Sequence, residues 1–299
     1  MIMRKIYTSI LLMLIFHVAG AQQLHFTSIF QQHNPMYNPA AAGFNNNAVI
    51  GATYRSMWSA FPGNPRTFMV YGDTYWKNKN AGLAGYLYRD VTGPTSRTGI
   101  QAAYSYHVKT GEKSFLGLGI ELRGLQYAID KAKLTDALGS DLVLAGSNSA
   151  FKLDAGAGVY FTNGKLSAGL AVSQLIQSKL AFNDVPNATE RAKLYRHYNL
   201  TANYLFETGG GTHVVPNCMV RLVPNAPTEF DFGCKIDYQD KMWWALNWRV
   251  RQFWSLQVGF KLMDRLGFAY AYDYYNAPFS DFNTGNNAHE IGLRFEIKK

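Results

Sequence analysis

The feature that most constrains this chain is an alternation of apolar and polar residues that recurs in one segment after another. "FLGLGIELRG" places Leu116, Leu118, Ile120 and Leu122 on one face, and Gly117, Gly119, Glu121 and Arg123 on the other. "FKLDAGAGVYF" sets Phe151, Leu153, Ala155, Ala157, Val159 and Phe161 against Lys152, Asp154, Gly156, Gly158 and Tyr160. "EFDFGCKIDY", "FWSLQVGFKL" and "HEIGLRFEI" repeat the pattern near the C-terminal end. Side chains leave a β-strand on opposite faces in turn, so a period of two reads as a strand. Charge of both signs plus glycine on one face suits either a barrel lumen or the wet side of a soluble sheet. A single strand therefore decides nothing.

The number of strands and their connections decide more. The pattern predicts strands near 47–58, 66–76, 80–90, 97–109, 113–127, 150–162, 165–176, 194–207, 213–223, 227–239, 241–251, 253–263, 266–275 and 287–298. That is about fourteen, an even number, and each is long enough to cross a bilayer at a tilt, which takes ~9–11 residues. One set of connections is short and polar: "KNKN" (77–80), "TGE" (110–112), "NG" (163–164), "TGGGT" (208–212), Asp240 and "DR" (264–265). The alternate set, at 59–65, 91–96, 128–149, 177–193 and 276–286, is mostly longer, with tight exceptions near 224–226 and 252. Short turns at one end and longer loops at the other characterise outer-membrane barrels, and a sandwich has no reason to obey that rule. Trp58, Trp76, Trp243, Trp244 and Trp254 fall near predicted strand ends, where aromatic girdles sit.

The N-terminal residues read as a targeting segment, 1–21. Arg4 and Lys5 precede the apolar run Ile6 to Val18, and Ala19-Gly20-Ala21 matches a cleavage site. The apolar run is shorter than the ~20 residues of a spanning helix. The formal charge is +9, about +7 once Arg4 and Lys5 are removed, and the basic residues are scattered. They form no run of the kind that binds nucleic acid. Attraction to an acidic envelope surface is enough to account for them.

Particular words in order add to the pattern: "YNPAAAG" (37–43), "YRSMW" (54–58), "PRTFMVYGD" (65–73), "GIQAAYSYHV" (99–108), "HYNLTANYLFE" (197–207), "VRLVPNAPTEFDF" (220–232), "LGFAYAYDY" (266–274) and "HEIGLRFE" (289–296). Together they resemble the PorP/SprF family of type IX secretion system membrane proteins, from Gln22 to Lys299. The resemblance implies an all-β, antiparallel outer-membrane barrel, similar in architecture to long-chain fatty-acid transporters, in a Gram-negative bacterium. It implies a role in export or surface attachment of partner adhesins. The partners it implies are outer-membrane lipid, secreted adhesins or their C-terminal domains, and other components of the secretion machine. The last aromatic is Phe295, whereas many outer-membrane chains end on one.

"HNPMYNPAAAG", His33 to Gly43, is a stiff, kinked, mostly uncharged stretch preceding any strand. The residue before each proline is pushed out of the helical region. A lumen of about fourteen strands is too wide for wall side chains to fill. The segment 22–46 is therefore expected to enter or cap the lumen from the periplasmic side, with 47–299 forming the barrel. A loose periplasmic tail is the alternative.

No catalytic, cofactor-binding or metal-binding residue is assigned. Helical H-x-x-x-H and H-E-x-x-H pairs are absent, and His25 and His33 are poorly spaced for a metal. Ser105 and His107 share the inward face of one strand, without the third group a hydrolase needs. A non-enzymatic role is expected. Glu121, Arg123, Lys152, Asp154, Glu229, Asp231, Lys235, Asp237, Lys261, Glu290, Arg294 and Glu296 are expected to point inward, as a sealing network around a plug or as the lining of a solute path. Cys218 and Cys234 fall on the outward face. A hairpin turning near Ala226 would set them opposite each other, and directly paired strands give poor disulfide geometry, so two lipid-facing thiols are expected. An outer-membrane transporter or porin for a small or hydrophobic solute is the competing function.

Overall fold

The computed structural model describes residues 26–45, 47–131, 133, 149–179, 194–277, 280 and 287–298. The expected targeting segment 1–21, His25 and most of the two longest connections lie outside these residues. The strand segments are β1 (Ala48–Met57), β2 (Arg66–Trp76), β3 (Ala81–Thr92), β4 (Thr95–Lys109), β5 (Phe115–Ile129), β6 (Ser149–Thr162), β7 (Leu166–Ser173) and β8 (His197–Tyr204). They continue with β9 (Phe206–Gly209), β10 (Thr212–Leu222), β11 (Glu229–Tyr238), β12 (Met242–Arg249), β13 (Phe253–Leu262), β14 (Leu266–Tyr275) and β15 (Ala288–Ile297). Segments β8 and β9 both pair with β10 and flank Leu205, so they are one strand interrupted there. The result is a closed antiparallel barrel of fourteen strands.

Closure is made by the first and last strands. Ala48 stands opposite Ile297 and Met57 opposite Ala288, with every residue between in register. The barrel thus leaves no unpaired edge, as a β structure surrounded by hydrocarbon requires. Among the described residues no helix is long and apolar enough to cross a membrane. The strands make the crossing.

The two faces of the wall are sorted as the alternation demands. On β5, Ile120 is 64% exposed and its neighbour Glu121 only 4%. Ile50, Phe68, Leu87, Phe151, Leu256 and Ile291 join Ile120 outside, whereas Arg55, Asp73, Gln101, Asp231, Asp273 and Glu290 are buried inside. An apolar exterior around a polar interior is the reverse of a soluble protein and the arrangement of a membrane barrel. Trp76, Trp244 and Trp254 lie on the exterior. Trp243 departs from the expected girdle. It faces inward, packs against the cluster of Ile29, Ala269 and Ala271, and carries the Lys235 ammonium 5.4 Å from its ring.

The turn end holds the start of β1, the end of β15 and the short connections; the loop end holds the others. One connection expected to be a loop, 91–96, is a two-residue turn. Val91 pairs with Ser96 and Thr92 with Thr95, so the ladder runs on until Gly93 and Pro94 reverse it. Gly93 sits at φ +55°, which suits glycine.

The cysteines are free, as expected, but do not stand opposite each other. Cys218 lies opposite Phe232, and Cys234 opposite Pro216, a register two residues away from one that would pair them. The connection Val223–Thr228 centres the hairpin earlier than Ala226, and this moves the two thiols apart to diagonal positions. Both are free.

The N-terminal segment lies within the lumen. Phe26 is near Phe253 at the loop end, and Phe44 stacks on His107 at the turn end, their centroids 4.0 Å apart. Asn34 begins a single helical turn, Asn34–Tyr37, with proline in its first turn. Asn38 then caps the 3-10 turn Pro39–Ala41, its Oδ1 accepting from the Ala40 N–H at 3.0 Å. The alanines that follow approach the wall where it has no side chains. A Cβ on Gly82 would stand 1.8 Å from the Ala42 carbonyl oxygen, and one on Gly119 would stand 2.2 Å from the Ala40 nitrogen.

Two outcomes follow. Gly82→Val and Gly119→Val are each expected to push the segment off the wall, at a cost of about 1–3 kcal/mol for overpacking, read as a lower unfolding temperature of the barrel in detergent. The denatured, unreduced protein is expected to take up a maleimide at both cysteines and to migrate identically with and without reductant.

Candidate functional site in the lumen

The lumen is the place where polar groups from many strands converge, and the N-terminal segment is what they converge on. A short irregular segment leaves most of its peptide groups without partners of its own. At membrane depth such groups must be met by protein or water. Here the wall meets them. Gln257 Nε2 donates to the Ser28 carbonyl at 2.9 Å, Gln101 Nε2 to Pro35 at 3.3 Å, Arg123 Nη2 to Met36 at 2.9 Å and Asn199 Nδ2 to Tyr37 at 3.0 Å. Ser105 Oγ donates to Ala40 at 2.8 Å, and His107 Nε2 to Ala42 at 2.8 Å. In the other sense, the Ser28 N–H donates to Glu290 at 2.7 Å and the Gly43 N–H to Asp73 at 2.6 Å. Side chains of the segment donate to the wall as well, among them Asn38 Nδ2 to the Val159 carbonyl at 2.9 Å.

The loop end is the most highly charged part of this contact. Arg55 on β1 is buried, with Nη2 at 2.5 Å from Asp273 and Nη1 at 3.2 Å from Glu290. Ser28 of the segment joins the cluster. Its hydroxyl accepts from Arg55 at 2.7 Å and donates to Asp273 at 2.6 Å, and Thr27 donates its hydroxyl to Glu290. Beside it Arg221 pairs with Asp231 at 3.0 Å and Glu229 at 3.1 Å, and Arg249 reaches Asp231 at 2.8 Å. The Phe26 ring sits among these three arginines, 3.5 Å from the Arg249 guanidinium carbon, 4.9 Å from Arg221 and 5.2 Å from Arg55. Guanidinium groups within about 6 Å of a ring face are attracted by its quadrupole. Phe26 is thereby held by charge as well as by packing.

A second cluster fixes the middle of the segment. Glu121 and Arg123 are adjacent inward positions on β5, their groups 2.5 Å apart. Gln101 donates to Glu121, Ser173 adds a bond at 2.8 Å, and Tyr86 Oη accepts from Arg123 at 2.8 Å. Removing one member of such a buried set leaves the other charge stranded.

Of the expected inward charges, Glu121, Arg123, Asp154, Asp231 and Glu290 are buried, and the structure brings Glu290 and Asp231 to the loop end. Lys235, Asp237, Lys261, Arg294 and Glu296 lie at the turn end, in a cavity of about 390 Å³ beside the segment. Asp154 meets backbone instead, accepting from the Ile176 N–H at 2.9 Å. Ser105 and His107 hold the segment's carbonyls and form no nucleophile–base pair. His33 packs on Tyr71, their ring centroids 3.6 Å apart. Among the described residues, no three His, Cys, Asp or Glu side chains are grouped to hold a metal. The sequence reading missed Arg55, Arg221, Arg249, Asp273 and Phe26. The period-two signal for Arg55 and Asp273 is there: each stands alone between aromatic or small neighbours, in "TYRSM" and "AYDYY".

Solved structures with similar chain traces include the monoaromatic hydrocarbon channel CymD (10% identity, 88% of this chain and 92% of that one, TM-score 0.49). Another is the Pseudomonas putida toluene transporter TodX (9% identity, 95% and 96%, TM-score 0.46). A third is the KdgM porin (8% identity, 83% and 99%, TM-score 0.40). A search of curated proteins returns no match. The family model described as "Type IX secretion system membrane protein PorP/SprF" matches residues 19–295, nearly the whole chain. A closed barrel with a lipid-facing exterior, matched to a membrane family of this secretion system, resides in the outer membrane of a Gram-negative bacterium. The chain belongs to the PorP/SprF family of type IX secretion system membrane proteins.

Proposed function

We propose that this barrel is a non-catalytic accessory of the type IX system, supporting export or surface attachment of partner adhesins or other secreted proteins. The observation that carries this reading is the lumen segment 26–45. Its peptide groups are bonded to inward side chains of β2, β4, β5, β8, β13 and β15, so the polar interior is spent on holding a polypeptide. A barrel filled in this way suits a scaffold better than an open solute path. Its loops offer the binding surface, since loops on a rigid wall are where recognition usually resides. The candidates are 128–149 and 177–193. Family membership implies association with other components of the secretion machine; the adhesin is the proposed cargo.

Deletion of the gene, with comparative proteomics of the cell surface and medium, tests the role. One or a few large surface proteins are expected to vanish while other secreted proteins remain. Unchanged fractions with reduced uptake of a solute would transfer the function to the transporter reading.

The closure itself has a separate test. Arg55→Met strands Asp273 and Glu290, at a cost of ~3–5 kcal/mol for an unpaired buried charge. It is expected to free Phe26–Ser28, expose the segment to protease in intact outer membranes and raise conductance in planar bilayers. Arg55→Lys is expected to lie between the two. A segment that stays protected and a pore that stays closed in Arg55→Met would remove the clasp from the account.

A further inference from the structure

The segment leans on one side of the lumen and leaves the other side open at the turn end. Its residues 34–41 pack on β3 to β7. Beside them lies the cavity of about 390 Å³, bounded by the segment, by inward residues of β10 to β15 and by Tyr160 of β6 and Thr201 and Asn203 of β8, with Asp240 and Lys241 at its mouth. The charges around it are matched among themselves. Lys235 is 3.2 Å from Asp237, and Lys261 is 2.6 Å from Asp240 and 3.3 Å from Glu296. Arg294 stands 3.5 Å from Glu296 with its Nε not hydrogen-bonded, and the other unbonded groups are amides. Asn217 on β10 lines the cavity, is only 9% exposed, and has neither its amide nitrogen nor its oxygen hydrogen-bonded. Gln31 of the segment faces the same space with its amide nitrogen buried and unbonded. Asn247 lies over Gly233, the residue opposite Asn217, and is unbonded at both atoms as well. Buried polar groups in this state cost free energy until something bonds them.

The same lumen shows what such amides hold. Gln101, Asn199 and Gln257 each donate to a peptide carbonyl of the N-terminal segment. An amide both donates and accepts, matching the N–H and C=O of a peptide group. With the carboxylates already engaged by cations, Glu296 by both Lys261 and Arg294, the unused capacity is chiefly that of the amides. The geometry points to this cavity as a site for a second extended polypeptide segment, belonging to a partner protein. It enters from the turn end, the periplasmic side of an outer-membrane barrel, and lies beside residues 31–45 with its backbone bonded to Asn217 and Gln31. This rests on the proposed role in protein export and names where a partner chain is gripped.

The test uses the full-length protein in its own cells, with the photoreactive residue p-benzoylphenylalanine placed at Val215, which lines the cavity, and separately at Lys241, at its mouth. Irradiation is expected to join both positions to one segment of a second polypeptide, located by mass spectrometry. Asn217→Leu is expected to lower the Val215 adduct roughly tenfold, as for loss of a hydrogen bond to a buried group, with residues 26–45 still protected from protease. Gln31→Leu, which leaves wall pairing intact, is expected to act the same way and serves if Asn217→Leu fails to assemble. An adduct only to this chain's own segment, to lipid or to glycan overturns the inference. So does no adduct, or one that neither substitution lowers. Loss of surface proteins on gene deletion without an adduct at Val215 removes this site alone. An unchanged surface removes the export reading whatever Val215 captures.

Discussion

Hydrocarbon offers no hydrogen bonds, and the rest of this structure depends on that fact. A strand placed in a bilayer must have a neighbour on both sides, so the meander closes where Ala48–Met57 pairs along Ala288–Ile297. Closure then decides the chemistry of each face. The exterior takes Ile, Leu, Phe and Trp, and the charged groups that alternate with them are turned into the lumen. Arg55 and Glu290, almost wholly buried, show the consequence: charges in such a place need partners fixed by geometry.

The N-terminal segment and the wall solve each other's problem. An irregular backbone in the interior needs donors and acceptors, and a polar lumen wall needs something to bond. Side chains from strands all round the barrel reach peptide groups of residues 27–43, and the small residues Ala40–Gly43 come within contact of glycines on β3 and β5. The two Asn-Pro steps set the course between these contacts: the first begins the turn Asn34–Tyr37 and the second caps Pro39–Ala41. That is the physical reason a stiff, uncharged stretch precedes the first strand. The arrangement is uneven along the barrel axis. At the loop end three arginines surround Phe26 and the charges are packed tight; at the turn end the wall stands away from the segment and unbonded amides face a cavity. A barrel built this way is clasped outside and receptive inside. That polarity suits a component that meets its partners from the periplasm and presents loops at the surface.

Much of this architecture was legible in the sequence because period-two alternation carries both strand and face. Each of the fourteen strands was visible, and Glu121, Arg123, Asp231 and Glu290 were correctly turned inward. The failures share a cause. Trp243 stands near a strand end, where a girdle is expected, yet its parity on β12 turns it to the lumen. A hairpin centred on Ala226 would set Cys218 opposite Cys234, and the actual register, two residues away, separates them. Register depends on how a whole connection folds, which the residues near its midpoint do not state.

By itself the sequence determined an outer-membrane barrel: the alternation fixes which face meets lipid, and the even count with short turns at one end fixes the topology. Only the tertiary structure decided what the inward residues do. Arg55, Asp273 and Glu290 lie on three strands that become neighbours when the barrel closes, and Ser28 reaches Asp273 and Glu290 from more than two hundred residues away in the chain. Hydrogen bonds and ion pairs act over a few ångströms, so partners that distant in sequence are chosen by closure and by the path of the lumen segment, and neither leaves a local mark on the chain.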